Sequence, residues 1–241
     1  MDGSERQLRI DLAAAYRLVA MFEWDDLLAT HLSVRVRGPE HHFLINPLGM
    51  LFEEITASSL VKVDLDGNIV AGGRAINPAG FTIHSAVHEA RPDAQSVMHL
   101  HTVAGVAVSS QEHGLLPINQ SAMLMNGRLG YHDFEGIALS LDERPRLVAD
   151  LADNDALILR NHGTLTVGPT IADAFQTLYF LERACAIQVA ALAGGTEVRT
   201  PDDSIQEVVT KQVADFGDIA VRLLWPALIR RLDRTNPGYR D

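Results

Sequence analysis

A single cysteine, Cys185, stands in this chain of 241 residues, so no internal disulfide can form and a disulfide-stapled fold is excluded. Its neighbours Ala184, Ala186 and Ile187 continue a helical apolar pattern, which makes the thiol a packing group rather than a nucleophile. Long apolar runs are missing too: none approaches the roughly 20 residues that span a bilayer. The opening MDGSERQLRIDLAAAYRLVAMF contains acids and lacks a basic segment ahead of an apolar one, so the chain reads as cytoplasmic, without a secretory leader. Positive charge is scarce, with 20 Lys and Arg against 31 Asp and Glu and a formal net charge of -11. Phosphate backbones and anionic lipid repel such a chain, which excludes nucleic acid and membrane as expected partners. Repeats, low-complexity stretches and flexible linkers are also lacking. The expected organisation is therefore one domain over residues 1–241, with a C-terminal helical extension at about 202–241.

What is present is an ordinary globular composition, 47% hydrophobic and 21% charged, enough for a real core. Leu8, Leu12, Ala15, Leu18, Val19 and Phe22 recur at helical spacing and predict an amphipathic first helix. Residues 32–36, 41–45, 60–65 and 68–71 read as short strands, the last two joined by Asp66-Gly67. A helix is expected after Asn77-Pro78, ending before Pro92 because proline disfavours helix in the residue preceding it. Strands follow at 96–101, 156–160 and 164–168, with helices through 104–110 and 142–151. The cluster Tyr131-His132-Asp133-Phe134-Glu135-Gly136 reads as a functional loop. From Thr170, a fair N-cap, a long helix runs to Gly194-Gly195. An amphipathic tail follows, which Pro226 is expected to break or kink.

The chemistry concentrates in histidines. His99 and His101 stand two apart on a strand, and side chains alternate across a strand, so both project to one face. His162 lies in an Asn-His-Gly turn just after a buried strand, where side chains are presented at a sheet's end. Three neutral imidazoles leave a coordination position open, the arrangement of catalytic rather than structural metal sites. Alternatives stay open at this point, because strand histidines also cap sheet edges and Asn-His-Gly suits left-handed backbone for purely conformational reasons.

Five ordered segments carry a resemblance: FLINPLGMLFEEITASSLVKVDLDGNIV (43–70), NPAGFTIHSAVHEARPDAQSVMHLHT (77–102), YHDFEG (131–136), LILRNHG (157–163) and ERACAIQVAALAGG (182–195). Over about residues 8–195 the chain resembles the class II aldolase/adducin family, and more closely the adducin head domain and bacterial stand-alone proteins like it than the sugar-phosphate aldolases. The resemblance implies an α/β fold, a three-layer α/β/α domain with a mixed, mainly antiparallel central sheet. It implies that His99, His101 and His162 bind a divalent cation, Zn2+ first, with Mn2+ or Fe2+ as alternatives. It also implies a homo-oligomer, a tetramer in the aldolases, with sites between subunits.

Two departures bear on substrate. The aldolases place a catalytic Glu four residues before the position of His84, where this chain has Gly80. Their phosphate pocket uses Asn, Thr and a pair of Ser, at places held here by His31, Leu48, Pro78 and Ala79, with Gly49 retained. His31, Gly49 and Gly80 are thus candidate substrate-binding positions for something other than a sugar phosphate. The expected partner is a small hydroxy, keto or aromatic carboxylic acid, with Arg128 or Arg160 as local cations.

A metal that polarises a carbonyl beside a carboxylate supports carbon–carbon cleavage, and decarboxylation needs only that electron sink and a proton. For the proton, His132 and Tyr131 are the catalytic candidates. His84 is expected beside the site in a supporting role, and His88 at the surface. A metal-dependent lyase is the first expectation. A noncatalytic oligomeric binding module of the adducin kind is the second, and a non-haem iron oxygenase the third.

Overall fold

The computed structural model describes residues 3–195 and 197–241, with the side chains at 3 and 214–220 outside the description. Met1 and Asp2, the first residues of the expected leaderless start, lie outside the described residues, as does Thr196. Helix α1 (Gly3–Met21) buries Leu12, Ala15, Leu18 and Val19 completely, the face that the apolar spacing picks out. Four strands follow, β1 (His31–Arg35), β2 (Phe43–Ile45), β3 (Val61–Val63) and β4 (Ile69–Ala71), and then helix α2 (Pro78–Ala90). Asn77 caps α2 by accepting from the Ala79 N–H, and Pro78 occupies the first turn, where a missing N–H costs nothing.

The second half alternates: β5 (Ser96–Leu100), α3 (Val103–Ser109), α4 (Gln120–Met123), β6 (Leu129–His132), α5 (Arg144–Leu151), β7 (Ala156–Leu159), β8 (Gly163–Gly168), α6 (Ile171–Leu192) and α7 (Asp203–Thr235). All eight strands form one sheet in the order β4-β3-β2-β1-β5-β8-β7-β6. Every pairing is antiparallel except β6 with β7, so the expected mixed, mainly antiparallel sheet is present. Alternation along the strands makes three layers. Leu32, Val34, Met98 and Leu100 pack with α1 and α6 on one face, and Ala156 and Ile158 join Leu181 and Cys185 of α6 there. Val97, Leu157, Leu159 and Leu165 meet α2 and α5 on the other. Cys185 is fully buried and burial pushes its thiol up, in keeping with a packing role.

Two expectations are corrected. Tyr131 and His132 belong to strand β6, parallel to β7 at the sheet's edge, rather than to a loop; the sequence LGYH has neither alternation nor a turn signal to betray it. Of the break or kink expected at Pro226, the break does not occur: helix α7 continues through it. The lost hydrogen bond is local, and Trp225, Leu228 and Ile229 on either side hold the helix against the α1 core. No helix among the described residues is long and apolar enough to cross a membrane.

Candidate metal centre

His99 faces the α2 side of the sheet near the end of β5, and His101 follows just past that end. The chain then returns through β7, and the turn into β8 presents His162. Asn161 supplies the left-handed residue of that turn, at φ 56°, a conformation asparagine tolerates. The three rings form a nearly equilateral triangle, with centroids 4.7 Å apart for His99 and His101 and 4.8 Å for each to His162. One nitrogen from each lies within 4.8 Å of the other two.

The outward nitrogens fix the tautomers. His99 Nδ1 is 3.0 Å from the Thr164 carbonyl oxygen, which can only accept, and His101 Nδ1 is 3.1 Å from Asp26 Oδ2. Both rings therefore carry their proton on Nδ1 and turn an Nε2 lone pair inward. Those two nitrogens are 2.8 Å apart. Two lone pairs at that distance repel and a shared cation relieves them, so the donor set fits a divalent metal. Burial, followed by the charges of neighbouring histidines, holds His99 well below the ordinary imidazole value. His162 is held down to about 4, by burial and then by His101 and His132. Both therefore stay neutral, as ligands must be.

The sequence does not reveal the residues behind the three histidines. Asp26 belongs to the loop after α1, and no local pattern connects it with a histidine 75 positions away. Asp26→Ala is expected to weaken zinc binding about 10- to 100-fold, measured by competition with a chromogenic chelator. Glu182 is buried inside the sheet-facing side of α6, and burial raises its pKa. Its carboxyl accepts from Thr102 and Thr164, tying the segment after His101 to the strand whose carbonyl orients His99. A lone acid on an otherwise apolar helix face was the available signal.

The departures at positions 31 and 80 form one feature. His31 lies across from His99 in the β1–β5 ladder, its ring stacked on that of His99 at 5.6 Å. Both His31 nitrogens are buried without a hydrogen-bond partner. A Cβ added at Gly80 would stand 2.6 Å from His31 Cδ2 and 2.9 Å from its Nε2, so the imidazole fills the space that a side chain at position 80 would enter. Helix propensity favours alanine over glycine at such a position. Gly80→Ala is nevertheless expected to destabilise the protein, by about 1–3 kcal/mol, and His31→Ala in the same chain to recover most of that loss. Urea denaturation of the two single variants and the double variant tests the coupling.

The other candidates fall as follows. His84 is fully buried beside His31, with Ser33 Oγ at its Nδ1. His88, expected at the surface, is 1% exposed; it shares the same Ser33 hydroxyl at 2.8 Å and packs on Phe43. One helical turn carries both inward because α2 is sandwiched against the sheet. Gly49, at φ 91°, lines a hollow together with Asp26 and Leu48. Tyr131 does not join the triangle within this chain. Its register partner is Ile158, on the α6 face, and its hydroxyl accepts from the Leu115 N–H at 3.1 Å. His132 faces the opposite way, as alternation requires; its Nδ1 is 2.7 Å from Asp150 of α5 and latches β6 to that helix, while its buried Nε2 has no hydrogen-bond partner, with Glu143 at 3.4 Å. The expected cations are engaged elsewhere, Arg128 with Asp155 and Arg160 over the Tyr131 ring at 4.5 Å.

Residues 10–189 match the model of the class II aldolase and adducin N-terminal domain. An aldolase II superfamily protein from Pseudomonas syringae, of known structure, is 51% identical, with a TM-score of 0.96 over 100% of this chain and 98% of that one. The L-fuculose 1-phosphate aldolase from Glaciozyma antarctica is 30% identical, with a TM-score of 0.86 over 99% and 93%. Rat alpha-adducin is 46% identical over 196 residues, which are 80% of this chain but 26% of the adducin.

Proposed function

The chain belongs to the class II aldolase and adducin N-terminal domain family, and on that premise we propose that it is a metal-dependent carbon–carbon lyase. Its substrate in this reading is a small hydroxy, keto or aromatic carboxylic acid. The observation that carries the proposal is the inward pair of Nε2 lone pairs on His99 and His101, 2.8 Å apart with His162 closing the triangle. These three residues would hold the cation, with Zn2+ first and Mn2+ or Fe2+ as alternatives. When bound, the cation supplies a Lewis acid that draws electrons from a carbonyl or hydroxyl oxygen, a contribution worth several kcal/mol.

The chain's own residues define the rest. Thr164 and Asp26 orient two of the imidazoles, and Glu182 clamps the backbone that carries them. At position 80 there is no carboxylate to take a hydroxyl proton, and the buried ring of His31 occupies that space. This favours decarboxylation, which needs no such base, over retro-aldol cleavage. The Tyr131 hydroxyl and His132 Nδ1 are engaged within their own chain, so this proposal assigns neither a proton step. Likeness to the fuculose phosphate aldolase supports lyase chemistry, and a homo-oligomer, a tetramer as in the aldolases, and a cytoplasmic setting belong to the same reading.

The 46% identity to alpha-adducin favours a second reading, a noncatalytic binding module that keeps the histidines for structure. A panel of 2-hydroxy, 2-keto and aromatic acids, assayed for carbon dioxide and for carbonyl products, separates the two. The lyase reading expects turnover of at least one acid by zinc-loaded protein, abolished by a chelator. Absence of turnover across the panel favours the module, and turnover that survives the chelator would overturn both readings, showing catalysis that needs no metal.

A further inference from the structure

Beside the histidine triangle lies an open hollow of about 640 Å3 whose walls include Asp26, Leu27, Leu28, Leu48 and Asn77. Asp26 links it to the candidate metal centre: the residue lines the hollow and its Oδ2 is 3.1 Å from the outward Nδ1 of His101. Its character is apolar. Leu27, Leu28 and Leu48 are 71%, 39% and 44% exposed, a concentration of solvated leucine next to a polar centre that folding alone does not call for.

The same hollow is poorly made for an anion. Among the described residues, no lysine or arginine lines it, and Asp26 adds negative charge. The start of α2 borders it through Asn77, and two of the donors there are already used: the Ala79 N–H donates to Asn77 Oδ1 at 3.0 Å and the Phe81 N–H to the Asn77 carbonyl at 2.9 Å, while Pro78 has no N–H. The Asn77 amide donates to the Leu28 carbonyl at 3.4 Å. A phosphate placed here would lose hydration without gaining a cationic side chain, and would face the Asp26 carboxylate.

We propose that the hollow binds the apolar tail of the acid whose polar end meets the histidines, so that the substrate carries an alkyl group where a sugar phosphate carries its phosphoryl group. The proposal rests on the metal-centred reading above and adds Leu27, Leu28 and Leu48 as the residues that set specificity.

Hydroxamates test it, because each presents the same metal-chelating head. Acetohydroxamate, hexanohydroxamate and phosphoglycolohydroxamate are titrated calorimetrically into zinc-loaded protein and into chelator-treated protein. Each buried methylene is worth roughly fourfold in affinity. The hexanoyl compound is therefore expected to bind at least about tenfold more tightly than the acetyl compound, and the phosphorylated one no more tightly than acetyl. In Leu27→Asn and Leu48→Asn the alkyl preference is expected to shrink to about threefold or less. Leu27 sits at φ 47°, where asparagine is the better-tolerated residue, so the first variant keeps the loop's fold even if the second does not.

Equal affinities for the two alkyl compounds, or tightest binding of the phosphorylated one, would overturn the tail site while leaving the metal centre standing. If none of the three binds zinc-loaded protein, the metal reading fails and the inference with it. Should Leu48→Asn dissociate an oligomer in sedimentation velocity, a second copy of the chain fills the hollow and the proposal is overturned.

Discussion

Replacing His101 with alanine is expected to reduce bound zinc from about one ion per chain to a small fraction of that, a loss of affinity on the order of 100-fold or more. The argument is geometric. His101 sits beyond the last residue of β5, held by Asp26 rather than by ladder hydrogen bonds, and its side chain is partly solvated. Its removal therefore leaves the core intact and takes away one of three protein ligands. The zinc-free stability of His101→Ala should stay close to that of the metal-free parent, while the rise in Tm on adding zinc should vanish. Full zinc retention would mean that the triangle is not the site.

Acid is expected to destabilise the metal-free protein steeply, beginning well above the range where carboxylates titrate. Three buried histidines that are not proposed ligands must fold neutral. His31 is held well below its ordinary value by burial and then by His84, His101 and His162; His84 by burial and then by His88. His88 is pushed down to about 3, by burial and then by Arg35. With the folded pKa below the unfolded 6.5, the unfolded chain takes up protons that the folded chain refuses. Stability is therefore flat above about pH 7 and falls as pH drops through 6.5, continuing down to each folded pKa. Between pH 7 and 5 the loss is about 2 kcal/mol for each such histidine, so three together approach the whole stability of a marginal domain. Urea midpoints at half-unit intervals measure it. His88→Phe, placed against Phe43, should flatten the slope by about one proton. A curve without slope between pH 7 and 5 would show that these rings are accessible to solvent.

The fold was readable where residues repeat with a period. The apolar faces of α1 and α6, the cap of α2, and the convergence of His99 near the end of β5 with His101 just past it all follow from spacing that a sequence displays. What escaped was set by partners distant in the chain. His88 looked like a surface residue because nothing near it indicates that α2 is covered by Ser33 and Phe43. Tyr131 and His132 looked like one functional cluster because they are adjacent, yet adjacency on a strand sends them to opposite faces. Asp26 and Glu182 support the proposed ligands through contacts that only tertiary structure creates.

The pair His31 and Gly80 is the most instructive case. Each position departs from the aldolase pattern, and in sequence the two departures are separate losses, an asparagine and a glutamate. In the fold they are a single exchange, because the ring gained at 31 occupies the room vacated at 80. Restoring a carboxylate at position 80 alone would not rebuild an aldolase site, since the imidazole stands in its way.

Metal analysis of freshly purified protein, joined to X-ray absorption at the metal edge, addresses the central claim most directly. The account predicts about one divalent ion per chain, coordinated by imidazole nitrogen, whose removal by a chelator lowers Tm and whose return restores it. A protein that purifies without metal, and whose Tm does not change when zinc is added, would contradict it.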